Sequence, residues 1–241
     1  MLAKASFLAE NVQPWFIDLV RAWNNRSQNV TVITLNYDAL VEKLFETVAT
    51  LGSALLYSFM PVLISGAARY GGPQTSFRLL KLHGSITWYI YPPTGSGESI
   101  YGPIYDAGLL SQWRPDREGE IIARVGARRA LIVPPVLTKD PYFGRPELRE
   151  QWLLADHALR HAERLYIIGY SLPEADLAMR FLLDRTHPKS SVSVIDRDSA
   201  VGTRVERLLK PRKVDVTFTG RESVVEEFVR GYVIMQNGNA T

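Results

Sequence analysis

The sequence predicts an α/β protein built on a doubly wound, mostly parallel sheet that carries an irregular insertion. Two observations support this fold class. The second half of the chain alternates short β-branched runs with helical patterns across short links, the arrangement produced when parallel strands are joined by crossover helices. The strand-like runs, such as Val30–Leu35, are continuous rather than alternating, as expected of strands buried on both faces. A third observation concerns function. Runs ending at Ile33, Leu82, Val133, Ile168 and Ile195 break off into Thr34-Leu35-Asn36-Tyr37-Asp38, His83-Gly84-Ser85, Pro134-Pro135, Gly169-Tyr170-Ser171 and Asp196-Arg197-Asp198. In an open parallel sheet, ligands bind outside the carboxyl ends of the strands. Signatures repeated at strand exits therefore describe one site assembled from distant segments.

In chain order, residues 4–25 place Phe7, Leu8, Val12, Trp15, Phe16, Leu19, Val20 and Trp23 at helical spacing, with Pro14 as a break or a new first turn. The strand 30–35 follows. Leu40, Val41, Leu44, Phe45 and Val48 then mark a helix over 38–49 that Asn36 or Asp38 is placed to cap. An apolar stretch at 54–68 and a Gly-Gly-Pro loop precede the strand 79–82. Beyond it, Tyr, Pro, Gly and Ser displace any periodicity, so about 89–129 is expected to be an irregular insertion or lid. A strand at 130–133 leads to a helix over 146–161, with Pro146 a suitable first-turn residue. Strands at 164–168, 191–195 and 214–218 then alternate with helices at 174–184, 199–209 and 222–231. The expected organisation is a helical segment 1–29, an α/β domain 30–235 and a polar, disordered tail 236–241.

The 241 residues suffice for a sizeable core, and 46% hydrophobic with 22% charged residues is an ordinary globular composition. A formal charge of +3, with short basic clusters at Arg124, Arg128-Arg129 and Lys210–Lys213, argues against nucleic acid as a partner. Cysteine is absent, which excludes disulfides, a thiolate nucleophile and cysteine-ligated zinc. The stretch 54–68 is shorter than the roughly 20 residues that span a bilayer, and it contains Pro61. No leader pattern opens the chain, so a cytoplasmic protein without membrane partners is expected.

His83 is the sharpest candidate for chemistry. It stands at a strand end beside a glycine, and imidazole is the side chain best matched to take a proton near neutral pH. The competing explanation is a histidine satisfied by backbone groups. Asn36 and Asp38 bracket Tyr37 at another strand exit, where amide and carboxylate suit sugar hydroxyls, a carboxamide or a water; simple helix capping explains them equally well. Gly169 and Ser171 could present N–H groups and a hydroxyl to a phosphate. Asp196 could hold the hydroxyls of an adenosine ribose or serve as a turn residue. His157 and His161 lie one turn apart without a third ligand at a recognisable spacing, so no metal site is expected, and His187 precedes a proline in a loop.

The ordered set Thr34–Asp38, Lys81–Ser85, Ile168–Glu174 and Val194–Asp196 resembles the motifs of sirtuins. It is most similar to prokaryotic sirtuin-like domains without zinc, whose wording also includes Trp88 and the Pro134-Pro135…Lys139 segment. The resemblance covers roughly residues 30–220. It implies a Rossmann-like domain that binds NAD and breaks the bond between nicotinamide and ribose. It assigns Asn36 to the nicotinamide ribose or the attacking water, Asp38 to the carboxamide, and His83 to the ribose hydroxyls as catalytic base. Gly169 and Ser171 match positions lining the phosphates, and Asp196 replaces an asparagine that contacts the adenosine ribose.

Two departures from the family pattern shape the expected activity. Without the four-cysteine zinc module, water is favoured over an acyl-lysine as acceptor, giving hydrolysis of NAD⁺ to nicotinamide and ADP-ribose. Domains of this kind resemble effectors of antiphage defence that deplete the host cofactor. The family's opening strand and its Gly-Ala-Gly-x-Ser loop do not precede Val30. A fragment or mis-started frame, a strand supplied by another chain, or loss of catalysis would each account for that. A missing interior strand should also leave its neighbours with open apolar edges. The alternative functions are a non-catalytic sensor or assembly domain for NAD or ADP-ribose and, further off, an NAD-dependent deacylase. A homo-oligomer or additional domains are compatible with all three.

Overall fold

The structure, a computed structural model, describes residues 12–24, 29–49, 77–90, 104–105, 129–133, 146–210, 213–217 and 223–238. The apolar stretch 54–68, Pro134-Pro135, Lys139 and most of the expected insertion lie outside the described residues. Mixed α/β architecture with short parallel sheets is observed. The chain divides into two compact units, Met1–Gln151 and Trp152–Thr241, and the boundary falls inside a helix, where composition leaves no mark.

In the first unit, helix α1 (Pro14–Trp23) starts with proline in its first turn, where the missing N–H costs nothing. Strand β1 (Val30–Thr34) runs parallel to β2 (Phe77–Lys81), pairing Val30 with Phe77 and Thr34 with Lys81. Helix α2 (Leu40–Ala49) follows β1. The core joins these elements: Phe77 stacks on Phe45 at 5.5 Å and on Trp23 at 5.7 Å, and Val20, Leu44, Leu79, Trp88, Leu131, Val133 and Leu148 close around them. Among the described residues β1 is paired on one edge only, and all five of its residues are half-exposed.

The region after His83 differs from the sequence reading. Strand β3 (Gly84–Ile90) starts directly after the turn at Leu82-His83 and pairs antiparallel with β4 (Ile104–Tyr105) and β5 (Arg129–Ile132). The start of the supposed irregular insertion is therefore a small sheet, and the strand expected at 130–133 belongs to it. Tyr, Thr and Trp are good strand formers, but interspersed Gly and Pro hid the pairing. Gly84 makes the change of direction possible. Its φ is +80°, and a Cβ there would lie 2.0 Å from the carbonyl oxygen of Leu131, so no other residue fits.

Helix α3 (Pro146–His161) crosses the boundary at Gln151. In the second unit β6 (Arg164–Ile168), β7 (Ser191–Ile195) and β8 (Val214–Thr217) form a parallel sheet in sequence order. The links are helices α4 (Leu177–Asp184) and α5 (Ser199–Leu209), with α6 (Val224–Gly238) after β8. Asp176 caps α4 through Met179 N at 3.3 Å, and Asp198 caps α5 through Ala200 N at 2.9 Å. Helix α4 starts three residues later than its apolar pattern suggests, because Pro173 and Asp176 hold the chain in a turn. Helix α6 runs to Gly238, so 236–238 are helical rather than tail. Gly202 lets α5 approach β8 closely: a Cβ there would lie 2.6 Å from Val216 Cγ1.

Candidate functional site

The parallel register of β1 and β2 sets two of the expected signatures side by side. Leu82 N donates to Thr34 O at 3.1 Å, one step past the last ladder pair. The chain leaving β1 as Leu35–Ala39 therefore runs beside the His83 turn that leaves β2. Asn36, Asp38 and His83 are brought together at these adjacent exits.

Tyr37, which the sequence marks only as the middle of a motif, ties this corner together. Its hydroxyl donates to the Val133 carbonyl at 2.7 Å, and its own carbonyl accepts from Ser85 Oγ at 3.3 Å. Its ring lies tilted against the His83 imidazole, 6.3 Å between centroids. Val133 N in turn donates to His83 O at 2.9 Å. Desolvation by burial raises the phenol above its ordinary pKa, so it remains a donor. The backbone and ring of His83 are thereby framed by three chain segments. His83 as a whole is 6% exposed.

Asn36 is exposed, and its N–H donates to Thr34 Oγ1 at 3.1 Å. Asp38 is half-buried and does what capping predicts: Oδ1 accepts from Leu40 N at 3.1 Å. One carboxylate oxygen remains for other work. Beneath the loop sits a feature that sequence reasoning missed. Lys81 and Glu42 are each 1% exposed and form an ion pair at 2.9 Å. The Lys81 ammonium also donates to the carbonyl of Asp38, and Lys81 N donates to the buried Gln151 Oε1 at 3.0 Å. The signal was a lysine within an otherwise apolar run, easily taken for a strand end.

In the second unit, the exits of β6 and β7 are likewise adjacent, with Gly169 N donating to Ile195 O at 3.0 Å. Gly169 takes a left-handed φ of +62° with open space where a Cβ would stand. Leu172, completely buried, has a φ of +47°, an uncommon strain for a bulky residue. It is held by its surroundings: Tyr170 Oη donates to Asp176 Oδ2 at 2.8 Å, and Arg204 Nε donates to Ser171 O at 3.0 Å. Burial, reinforced by the Asp176 carboxylate, raises the Tyr170 phenol well above its ordinary range. Ser171 is exposed, and Asp196 is half-buried with Oδ1 accepting from Asp198 N at 2.8 Å. Gly169, Ser171 and Asp196 thus occupy neighbouring exits of the second unit's sheet, as Asn36, Asp38 and His83 do in the first.

The remaining histidines take structural roles. His161 stacks on His157 at 4.3 Å, and its Nδ1 contacts the His157 carbonyl at 2.8 Å, which requires the proton on that nitrogen. His187 Nδ1 accepts from Lys189 N in a turn. Among the described residues no group of three or more acidic, histidine or cysteine side chains could hold a metal ion, and no helix is long and apolar enough to cross a membrane. No protein-family model matches the chain, and no curated protein matches it.

Proposed function

We propose that the chain is a sirtuin-like, Rossmann-type doubly wound domain that hydrolyses NAD⁺ to nicotinamide and ADP-ribose. The observation that carries the reading is the meeting of an exposed amide, a half-free carboxylate and a framed imidazole at the adjoining exits of β1 and β2. The reaction asks for little more. The C–N bond between ribose and pyridinium breaks with its electron pair passing to the ring nitrogen, whose positive charge it cancels. The leaving group then needs no acid. Water bonds to the anomeric carbon and one proton is released. What such a site supplies is orientation and stabilisation of a cationic sugar.

In this reading Asn36 orients the water or the ribose, Asp38 takes the carboxamide with its second oxygen, and His83 acts as base at the ribose hydroxyls. Gly169 and Ser171 serve the phosphates, and Asp196 serves the adenosine ribose. The biological setting suggested by the motif set is antiphage defence in the cytoplasm. A chromatographic assay of nicotinamide release from NAD⁺ tests the proposal. Release by the wild type that His83→Ala abolishes supports it; equal release from both defeats it.

Two observations favour a second reading, a non-catalytic domain that binds NAD or ADP-ribose. The His83 side chain is nearly enclosed, and Asp38 is partly committed to capping α2. Saturable binding of ADP-ribose by calorimetry without nicotinamide release would select it.

A further inference from the structure

We infer that Lys81 is a positioning residue, tying the Asn36–Asp38 loop to the strand that delivers His83. The inference rests on the proposed NAD⁺ hydrolysis only for its kinetic consequence. Lysine is almost never completely buried without a partner. Lys81 and Glu42 are both 1% exposed. Stability does not explain the pair, because a buried ion pair is often no better than apolar side chains of similar volume. Geometry does explain it. Lys81 stands two residues before His83, and its ammonium reaches across to the carbonyl of Asp38 and to Glu42 in the first turn of α2.

The backbone of the same residue is gripped from the other side, where Gln151 Oε1 accepts its N–H at 3.0 Å. Gln151 is fully buried, and its Nε2 has no hydrogen-bond partner among the described residues. Lys81 is therefore fixed through main chain and side chain at once, and the distance between the loop and the His83 turn is set by the length of a lysine. An apolar side chain in its place can fill the volume but cannot donate to Asp38. Glu42 neutralises the buried ammonium that this tie requires.

Two variants of the full chain separate positioning from stability. In Lys81→Met/Glu42→Leu both charges go together, so the melting temperature should stay within a few degrees of wild type while the tie to Asp38 is lost. Amide hydrogen exchange over residues 35–40, measured without NAD⁺, should quicken at least tenfold. The kcat for nicotinamide release should fall about 10- to 100-fold, the scale set by small misplacements of reacting groups, with KM for NAD⁺ changing less than threefold. In Glu42→Gln the tie remains, so melting temperature should drop while kcat is kept at temperatures where the protein is folded. Unchanged exchange over 35–40 in the double variant, or activity that follows melting temperature in both variants, overturns the inference. If wild type releases no nicotinamide, the proposed hydrolysis falls, and the exchange measurement alone decides whether Lys81 ties the loop.

Discussion

The hydroxyl of Tyr37 donates to the main-chain carbonyl of Val133 across 96 positions of sequence, at 2.7 Å. That bond joins the loop leaving β1 to the segment leaving β5, and Val133 N returns to the His83 carbonyl. Tyr37→Phe keeps the ring against His83 but leaves the buried Val133 carbonyl short of a donor, which should destabilise the protein by about 1–2 kcal/mol. Urea unfolding measures this. An unchanged midpoint would mean that the bond contributes nothing.

Asn36 and His83 should respond differently to removal. Asn36 is exposed and its side chain makes no hydrogen bond among the described residues, so Asn36→Ala should lie within about 0.5 kcal/mol of wild type in stability. If Asn36 orients water, nicotinamide release should nevertheless fall about 100-fold. His83→Ala should lose activity on the scale of a general base, about 10²–10⁴-fold, and should also lose some stability because the ring is packed against Tyr37. Paired unfolding curves and initial rates check both.

Two glycines with left-handed backbones should give opposite results. At Gly84 a Cβ would collide with the Leu131 carbonyl oxygen at 2.0 Å, and Gly84→Ala should cost more than about 4 kcal/mol. At Gly169 nothing lies within 4 Å of the corresponding position. Gly169→Ala should therefore cost only the backbone term of about 1–2 kcal/mol. Should Gly169→Ala fold well yet bind ADP-ribose more weakly in calorimetry, close backbone approach by a ligand is the reason for the glycine.

The Tyr170 phenol is held protonated by burial and by the hydrogen bond to Asp176. Its pKa when folded lies above the unfolded value of about 10. The stability it contributes is complete below that value and is lost as pH rises through and beyond it. Chemical denaturation between about pH 9 and pH 11 should show wild type losing stability more steeply than Tyr170→Phe. Parallel slopes would mean that the phenol is not selectively protected.

The strand–helix alternation after residue 160 was legible because each element is short, continuous in its pattern and closed by a local signal. Asp176 and Asp198 cap the helices that follow them, and Gly169 takes the left-handed turn. Local chemistry of this kind survives in one dimension. The sheet of β3, β4 and β5 was not legible, since Trp88 meets Tyr105 and Gly84 meets Ile132 only through antiparallel pairing between segments far apart in sequence. Helix α6 runs past its expected end at Gly231, and Tyr232, the next residue, packs on Tyr166 and Phe228, a contact with a distant strand that local pattern does not reveal.

The order of residue types by itself determined an α/β chain with polar and glycine-bearing residues at strand exits, because periodicity, capping and turn preference act over a few neighbours. Tertiary structure alone decided which exits adjoin. Register between β1 and β2 brings Asn36 and Asp38 beside His83, and it turns Lys81 inward to an unsuspected carboxylate at Glu42. Those choices depend on hydrogen-bond ladders and desolvated charge between distant segments, whose energies exist only once the segments have met.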